Sequence, residues 1–145
     1  MNIEQYATQF APQLKRDSAI IVNGKPLIPT SGDSKLEFQK KWLAIPITNH
    51  QLNSYDCHLI PGSGLYNINM NCKVRFDESG KNKLGESADL ISAPTKITRP
   101  IWGSWYGINV VLIVDQTVAQ NQDAEVISSM DYRITYRPAD SIISL

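Results

Sequence analysis

The residue pattern predicts an α+β fold, a mostly antiparallel sheet with helices packed on one face. Three observations predict it. Two apolar stripes at helical spacing fall in the first third of the chain, and long alternating runs follow them. In the run from Leu65 the alternation is strict: Tyr66, Ile68, Met70, Cys72, Val74 and Phe76 lie on one side, and Asn67, Asn69, Asn71, Lys73 and Arg75 on the other. The first set demands a core, while the second suits either water or a partner surface.

The first stripe is Ile3, Tyr6, Ala7, Phe10 and Leu14, a short helix that Pro12 stops near Ala11. Ala19 to Ile28 reads as two strands joined at Asn23 and Gly24, the residue pair best able to take the positive φ values of a tight hairpin. Ser34 with Glu37 forms a capping box, and Phe38, Trp42 and Ile45 form the stripe of a second helix over Lys35 to Leu43, ended by Pro46. Leu52 to Ile60 is a third strand, and Pro61, Gly62, Ser63 and Gly64 turn the chain into the fourth. A four-residue loop pairs Ile60 with Leu65. That register sets Cys57 opposite Ile68, Asn53 opposite Cys72, and Asp56 and His58 beside Asn69 and Asn67.

Asp77 to Arg99 is a polar connection longer than ordinary loops, which points to function or disorder. Trp105 to Asp115 is the fifth strand, apolar on both sides over its second half through Val111 and Ile113, so the sheet is expected to be covered on both faces there. After the polar turn Gln116 to Asp123, Val126 to Arg137 is the sixth strand, with Met130, Tyr132, Ile134 and Tyr136 opposing Asp131, Arg133, Thr135 and Arg137.

The 145 residues fit one domain. Lys plus Arg equals Asp plus Glu at 14 each, so no global charge drives binding to nucleic acid or anionic lipid. The longest apolar run, Ile108 to Val114, is interrupted by Asn109 and falls short of the roughly 20 residues of a membrane helix. No secretory signal opens the chain, and no membrane partner is expected. Cys57 and Cys72 have no metal-ligand or redox spacing; they read as small core residues of a protein in a reducing compartment, cytosol or nucleus.

Catalysis finds little support. His50 sits in a loop context, and His58, with Asp56 two residues back, is the best acid–base pair but lacks a matching nucleophile. The glycines of Ile60 to Gly64 lie between strands and do not open a helix, so they are turn chemistry and not a phosphate loop. No cofactor or metal is called for. Trp102, Trp105 and Tyr106 could stack bases or a peptide ring, with anchoring of core or loop the commoner role. Lys35, Lys40 and Lys41 on the second helix read first as a solvated face.

Five blocks, IPGSG at 60–64, NCKVRFDESG at 71–80, RPIWG at 99–103, YGINVVLIVD at 106–115 and YRPADSIISL at 136–145, resemble the small subunits of the fungal messenger-RNA export receptor. These belong to the nuclear transport factor 2-like family and are counterparts of the small partner of metazoan TAP. The resemblance is collinear from about Ile3 to the C-terminus. It implies a cone-like fold with a bent sheet, helices on the concave side, and a heterodimer with the nuclear transport factor 2-like domain of the large receptor subunit. The heterodimer is expected to carry messenger ribonucleoprotein, and large ribosomal subunits, through the nuclear pore. It would do so by contacting phenylalanine-glycine nucleoporins, and would shuttle between nucleus and cytoplasm.

In such subunits an aromatic-basic-x-x-Asp pattern ends the last strand, and its basic residue pairs with an acidic residue of the large partner. Tyr136, Arg137 and Asp140 fit the pattern, which makes Arg137 the implied anchor. The face expected to meet the partner also holds Arg133, Thr135, Asn67, Asn69, Asn71, Lys73, Arg75, Asp56, His58, Val111 and Ile113. Lys35, Lys40, Lys41, Lys81, Lys83 and Lys96 are the expected RNA or cargo contacts, shared with the partner because the single chain has no net charge. Family members open with a further long helix, so this single domain is expected to lack it. The loop between strands four and five is shorter than expected for a fungal subunit, which weakens the ribosomal role. The competing expectation is an isomerase or dehydratase of the same fold. That chemistry needs an Asp or His on the concave face, where Tyr66, Ile68, Met70 and Cys72 are expected.

Overall fold

The computed structural model describes residues 11–27, 32–78, 102–121 and 124–141. Strand β1 (Leu14–Val22) opens the sheet, followed by β2 (Lys25–Pro26), helix α1 (Ser34–Ala44), β3 (Thr48–Ile60), β4 (Leu65–Phe76), β5 (Tyr106–Asp115), a 3-10 turn (Gln116–Ala119) and β6 (Ile127–Tyr136). The six strands lie in the order β2-β1-β6-β5-β4-β3. All neighbours run antiparallel except β1 and β6, which are parallel. The stripe from Ile3 to Phe10 lies outside the described residues; Leu14, counted in it from spacing, instead begins β1 and is fully buried.

The first hairpin forms as its turn residues dictate. Asn23 and Gly24 sit at φ 52° and 81°, both in the left-handed region that a two-residue hairpin turn requires. Asn23 also ties the turn to β6: its backbone N–H donates to the Tyr132 carbonyl at 2.8 Å, and its side-chain oxygen accepts from the Ile134 N–H at 2.8 Å. The second arm is strand over Lys25–Pro26, and just beyond it the Leu27 N–H donates to the Ile20 carbonyl of β1 at 2.8 Å.

Helix α1 starts one residue earlier than expected, and its cap is Asp33. The Asp33 carboxylate accepts from the Leu36 N–H at 2.9 Å, while the Ser34 hydroxyl is buried and donates to the Ser18 carbonyl at 2.6 Å. Two adjacent residues could both cap, and the one whose side chain was free to turn back did so. Phe38 and Ile45 enter a core with Leu14, Ile20, Val74, Phe76, Tyr106, Ile108, Val110, Met130 and Tyr132, and Trp42 packs against it. Part of one face of the sheet is thus covered by α1.

The β3–β4 hairpin has the predicted register from Ile60–Leu65 through Cys57–Ile68, Asp56–Asn69 and His58–Asn67. It then breaks. A bulge at Asn53 brings Leu52, not Asn53, opposite Cys72, and the extra residue shifts which side chains face inward. Strand β3 also begins earlier, at Thr48, so His50 lies in a strand and not in a loop. As β3 is the sheet edge, Tyr55 (64% exposed), Leu52 and Leu59 stand open on the core side, and Cys57 is exposed there too; only Cys72 is part-buried. The core assignment of Cys57 is therefore corrected.

A second bulge lies near the end of β6. Ile108 faces Ile134, but Gly107 faces Tyr136, leaving Thr135 extra. This moves Tyr136 off the core side and onto the face of Gly107 and Asn109, where it is 62% exposed. Thr135 and Arg137 accordingly do not continue the row of Asp131 and Arg133. Gly107 permits the bulge: a Cβ there would stand 3.0 Å from Thr135 Oγ1 and 3.2 Å from Tyr136 Cβ.

Candidate partner interface

Cross-strand partners share a face, so the ladders define the surface opposite α1. On β4 it carries Asn67, Asn69, Asn71, Lys73 and Arg75. Facing them on β3 are His58, Asp56, Ser54, Gln51 and Asn49. On the other side, β5 presents Ile113, Val111, Asn109 and Gly107, and β6 follows with Ser129, Asp131 and Arg133. Most expected partner-face residues are thereby gathered on one surface. Thr135 sits at the bulge, and Arg137 lies just past the end of β6.

The asparagine row is internally bonded. Asn109 Nδ2 donates to Asn69 Oδ1 at 2.7 Å and to Asn71 Oδ1 at 3.0 Å, and approaches the Met70 carbonyl at 3.2 Å. Asn71 in turn donates to Ser54 Oγ at 3.4 Å. Oxygens on both sides orient the Asn109 amide, so polar side chains on three strands form one rigid ladder. Beside it Val111 and Ile113 are half-buried, a small apolar centre with polar surroundings. Asp131 Oδ1 is buried and has no hydrogen-bond partner.

At one end of the face the two cations of β4 meet two indoles. Lys73 Nζ lies 4.5 Å from the Trp105 ring centroid, and the Arg75 guanidinium lies 4.9 Å from Trp102 and 4.8 Å from Trp105. Trp105 directly precedes β5, and a bridge between Asp77 and Trp102 extends the β4 edge. These tryptophans therefore stack on cations. Tyr106 belongs to the core, edge-on to Phe76 at 5.2 Å between centroids.

Arg137 has a different setting. Burial pushes the Tyr106 hydroxyl upward, the Arg137 charge pulls it down, and the charges of Glu78 and Asp140 push it further up. Asp140 accepts from Ser104 Oγ at 2.9 Å. Asn23, Ile134, Thr135, Tyr136 and Arg137 line a neighbouring open cavity of about 360 Å³.

The lysines divide as well. Lys35 pairs with Glu125 at 3.4 Å and donates to the Pro12 carbonyl at 2.7 Å, while Lys40 and Lys41 are exposed on α1. Lys81, Lys83 and Lys96 lie outside the described residues.

For catalysis, Asp56 and His58 are both exposed on the face away from α1. His50 is the histidine on the core side: its Nε2 is 2.9 Å from the Tyr132 hydroxyl, and its ring packs against Trp42 and Tyr132. Burial, followed by proximity to Cys72, holds the Tyr132 hydroxyl far above the usual tyrosine range. Among the described residues no three His, Cys, Asp or Glu side chains converge as a metal site. Sequence reasoning missed Asn109 as the hub of the face. Its signal was present as the one polar residue interrupting the apolar run of β5.

Comparison with known proteins places this arrangement in a lineage. Residues 1–145 match the family model described as nuclear pore RNA shuttling protein Mtr2. The chain is 57% identical over 150 residues to the mRNA transport regulator MTR2 of Candida albicans, spanning 99% of this chain and 82% of that protein. It is 39% identical over 155 residues to the mRNA transport regulator MTR2 of Saccharomyces cerevisiae, spanning 99% and 80%. The crystal structure of Candida albicans Mtr2 superposes with a TM-score of 0.82 at 56% identity, covering 97% of this chain and 81% of that one. A chain of the Candida albicans Mtr2–Mex67 M domain complex superposes with a TM-score of 0.82 at 58% identity, covering 96% and 82%.

Proposed function

The chain belongs to the Mtr2 family of nuclear pore RNA shuttling proteins and has its nuclear transport factor 2-like fold, and on that premise we propose that it is the non-catalytic small subunit of a heterodimeric messenger-RNA export receptor. Its partner is the nuclear transport factor 2-like domain of the large subunit, the counterpart of the Mex67 M domain in the Candida albicans complex. The observation that carries this reading is the Asn109-centred ladder on the sheet face opposite α1. A polar face can be covered by another protein without penalty only if its groups are already paired or find partners, since each buried unpaired group costs about 1 to 3 kcal/mol. Here Asn69, Asn71, Asn109 and Ser54 are paired with one another before the partner arrives, and Asp131 and Arg75 each keep a buried polar atom for it to satisfy.

The heterodimer works at the nuclear pore, moving between nucleus and cytoplasm and contacting phenylalanine-glycine nucleoporins. RNA and large ribosomal subunits are carried by surfaces to which both subunits contribute. On this chain those surfaces centre on Lys40 and Lys41, together with Lys81, Lys83 and Lys96, whereas Lys35 is engaged with Glu125. Arg137 stands at the rim of the face as a second, charged anchor. Mixing the purified chain with the Mex67 M domain and measuring mass by light scattering tests the reading. A one-to-one complex is expected at micromolar concentration, and two monomer peaks would contradict it.

One observation favours the catalytic alternative, namely that His50 lies on the core side. Its Nε2, however, is 2.9 Å from the Tyr132 hydroxyl, and its exposed ring lies against Trp42 and Tyr132 on the edge strand, which is a packing role. Soaking with hydrophobic ring compounds tests the point: a ligand enclosed against His50 would revive an enzyme.

A further inference from the structure

We propose that Arg75 and Lys73, held by Trp102 and Trp105, form a receptor for a carboxylate side chain of the partner domain. The proposal deepens the heterodimer reading and rests on it. Both cations project from β4 on the face of the asparagine ladder, two residues and therefore about 7 Å apart along the strand. The guanidinium lies 4.9 Å and 4.8 Å from two indole centroids, and the ammonium 4.5 Å from one of them. Ring faces attract a cation but leave its charge unneutralised.

Among the described residues no carboxylate lies within ion-pair distance of Arg75 or Lys73, and Arg75 Nε is buried without a hydrogen-bond partner. Asp77 and Glu78, just past the end of β4, both have interactions of their own, and Asp77 is buried. The indoles therefore shield one edge of the guanidinium, whose Nε is buried, and restrict its orientation. Such a group has lost part of its hydration and freedom before binding, so an incoming anion meets a smaller desolvation and ordering penalty.

The aromatic setting also argues for a protein carboxylate over a nucleic acid. Single strands bind tryptophans by stacking bases on their open faces. Trp102 and Trp105 already have cations against their rings, and Trp105 is half-buried. The planar guanidinium edge instead matches a carboxylate. Continuity with the ladder places that carboxylate on the protein surface that covers the asparagines.

The test measures affinity of the full chain for the Mex67 M domain by calorimetry, for wild type, Arg75→Gln and Lys73→Met. It then repeats the series with each Asp→Asn and Glu→Gln change on the partner's facing sheet. Arg75→Gln should weaken binding by about 30-fold or more, and one partner carboxylate should show a non-additive effect with it. Lys73→Met should weaken binding by several-fold and keeps the test open if Arg75→Gln melts early. Wild-type binding with both variants within twofold of it overturns the carboxylate site alone. Absence of wild-type binding overturns the heterodimer reading and this site together. Unchanged partner affinity with lost binding of a single-stranded RNA oligonucleotide in Arg75→Gln likewise overturns it, assigning the cations to RNA.

Discussion

Replacing Asn109 by Ala separates what the ladder does for the free chain from what it does for assembly. The substitution removes the donor that serves Asn69 Oδ1 at 2.7 Å, Asn71 Oδ1 at 3.0 Å and the Met70 carbonyl at 3.2 Å. In the free chain Asn69 and Asn71 are exposed, so water replaces the lost donor. Two bonds at about 0.5 to 1.5 kcal/mol each then predict a stability loss of about 1 to 3 kcal/mol. That corresponds to a Tm lower by roughly 2 to 12 °C for a chain of this size. Under a partner domain water is excluded, and the two amide oxygens are left unpaired at about 1 to 3 kcal/mol each. The Kd for the Mex67 M domain should therefore rise by at least about 30-fold, a loss of about 2 kcal/mol or more. Calorimetric titration and thermal melting measure the two effects on the same sample. A lower Tm with Kd unchanged within twofold would refute the argument, because the ladder would then serve the free fold alone and stay wet.

Three further outcomes follow from the packing. Gly107→Val should destabilise by about 1 to 3 kcal/mol, since its Cβ meets Thr135 Oγ1 at 3.0 Å and Tyr136 Cβ at 3.2 Å; urea melts check it, and an unchanged midpoint would mean the bulge relaxes freely. Asp33→Ala removes the cap of α1 and should cost about 1 kcal/mol, the exposed Arg16–Asp33 pair adding little, whereas Ser34→Ala acts through the bond to Ser18 and should leave the helix N-terminus intact by amide exchange. Burial raises Cys72 from 9.0 and Tyr132 from 10.0 in the folded state, so the unfolded chain releases their protons first. Stability is then fully present below about pH 9 and falls as pH rises above it, by up to ~1.4 kcal/mol per pH unit for Tyr132 alone. Tyr132→Phe should flatten that decline in alkaline denaturation curves, and an equal slope would contradict the assignment.

Much of the architecture was legible because it followed from local chemistry. The four-residue loop set the Ile60–Leu65 pair, and from it the alternation placed Asp56, His58 and the asparagines correctly. Asn23 and Gly24 announced their turn by conformational preference. The bulges at Asn53 and Thr135 were illegible, because nothing about either residue type demands an extra position in a ladder; the bulge near Thr135 depends on the absence of a Cβ at Gly107, a residue across the sheet. Exposure of Cys57 and Tyr55 was equally hidden. Alternation says which side a residue faces, but only strand order says whether that side lies at an edge. The candidate face was visible as a polar row, and its organisation was not, since the Asn109 amide and the two tryptophans come from sequence more than 25 residues away from β4.

On the proposed reading the asparagine face, and not the open core-side edge of β3, meets the partner. Maleimide labelling tests it directly in Asn69→Cys, because native Cys57 is exposed on the opposite face of the same hairpin and reports in the same tube. Addition of saturating Mex67 M domain should slow labelling at position 69 by about tenfold or more and leave Cys57 unchanged, as expected for a site removed from solvent. Protection of Cys57 with position 69 still reacting at its free rate would contradict the account.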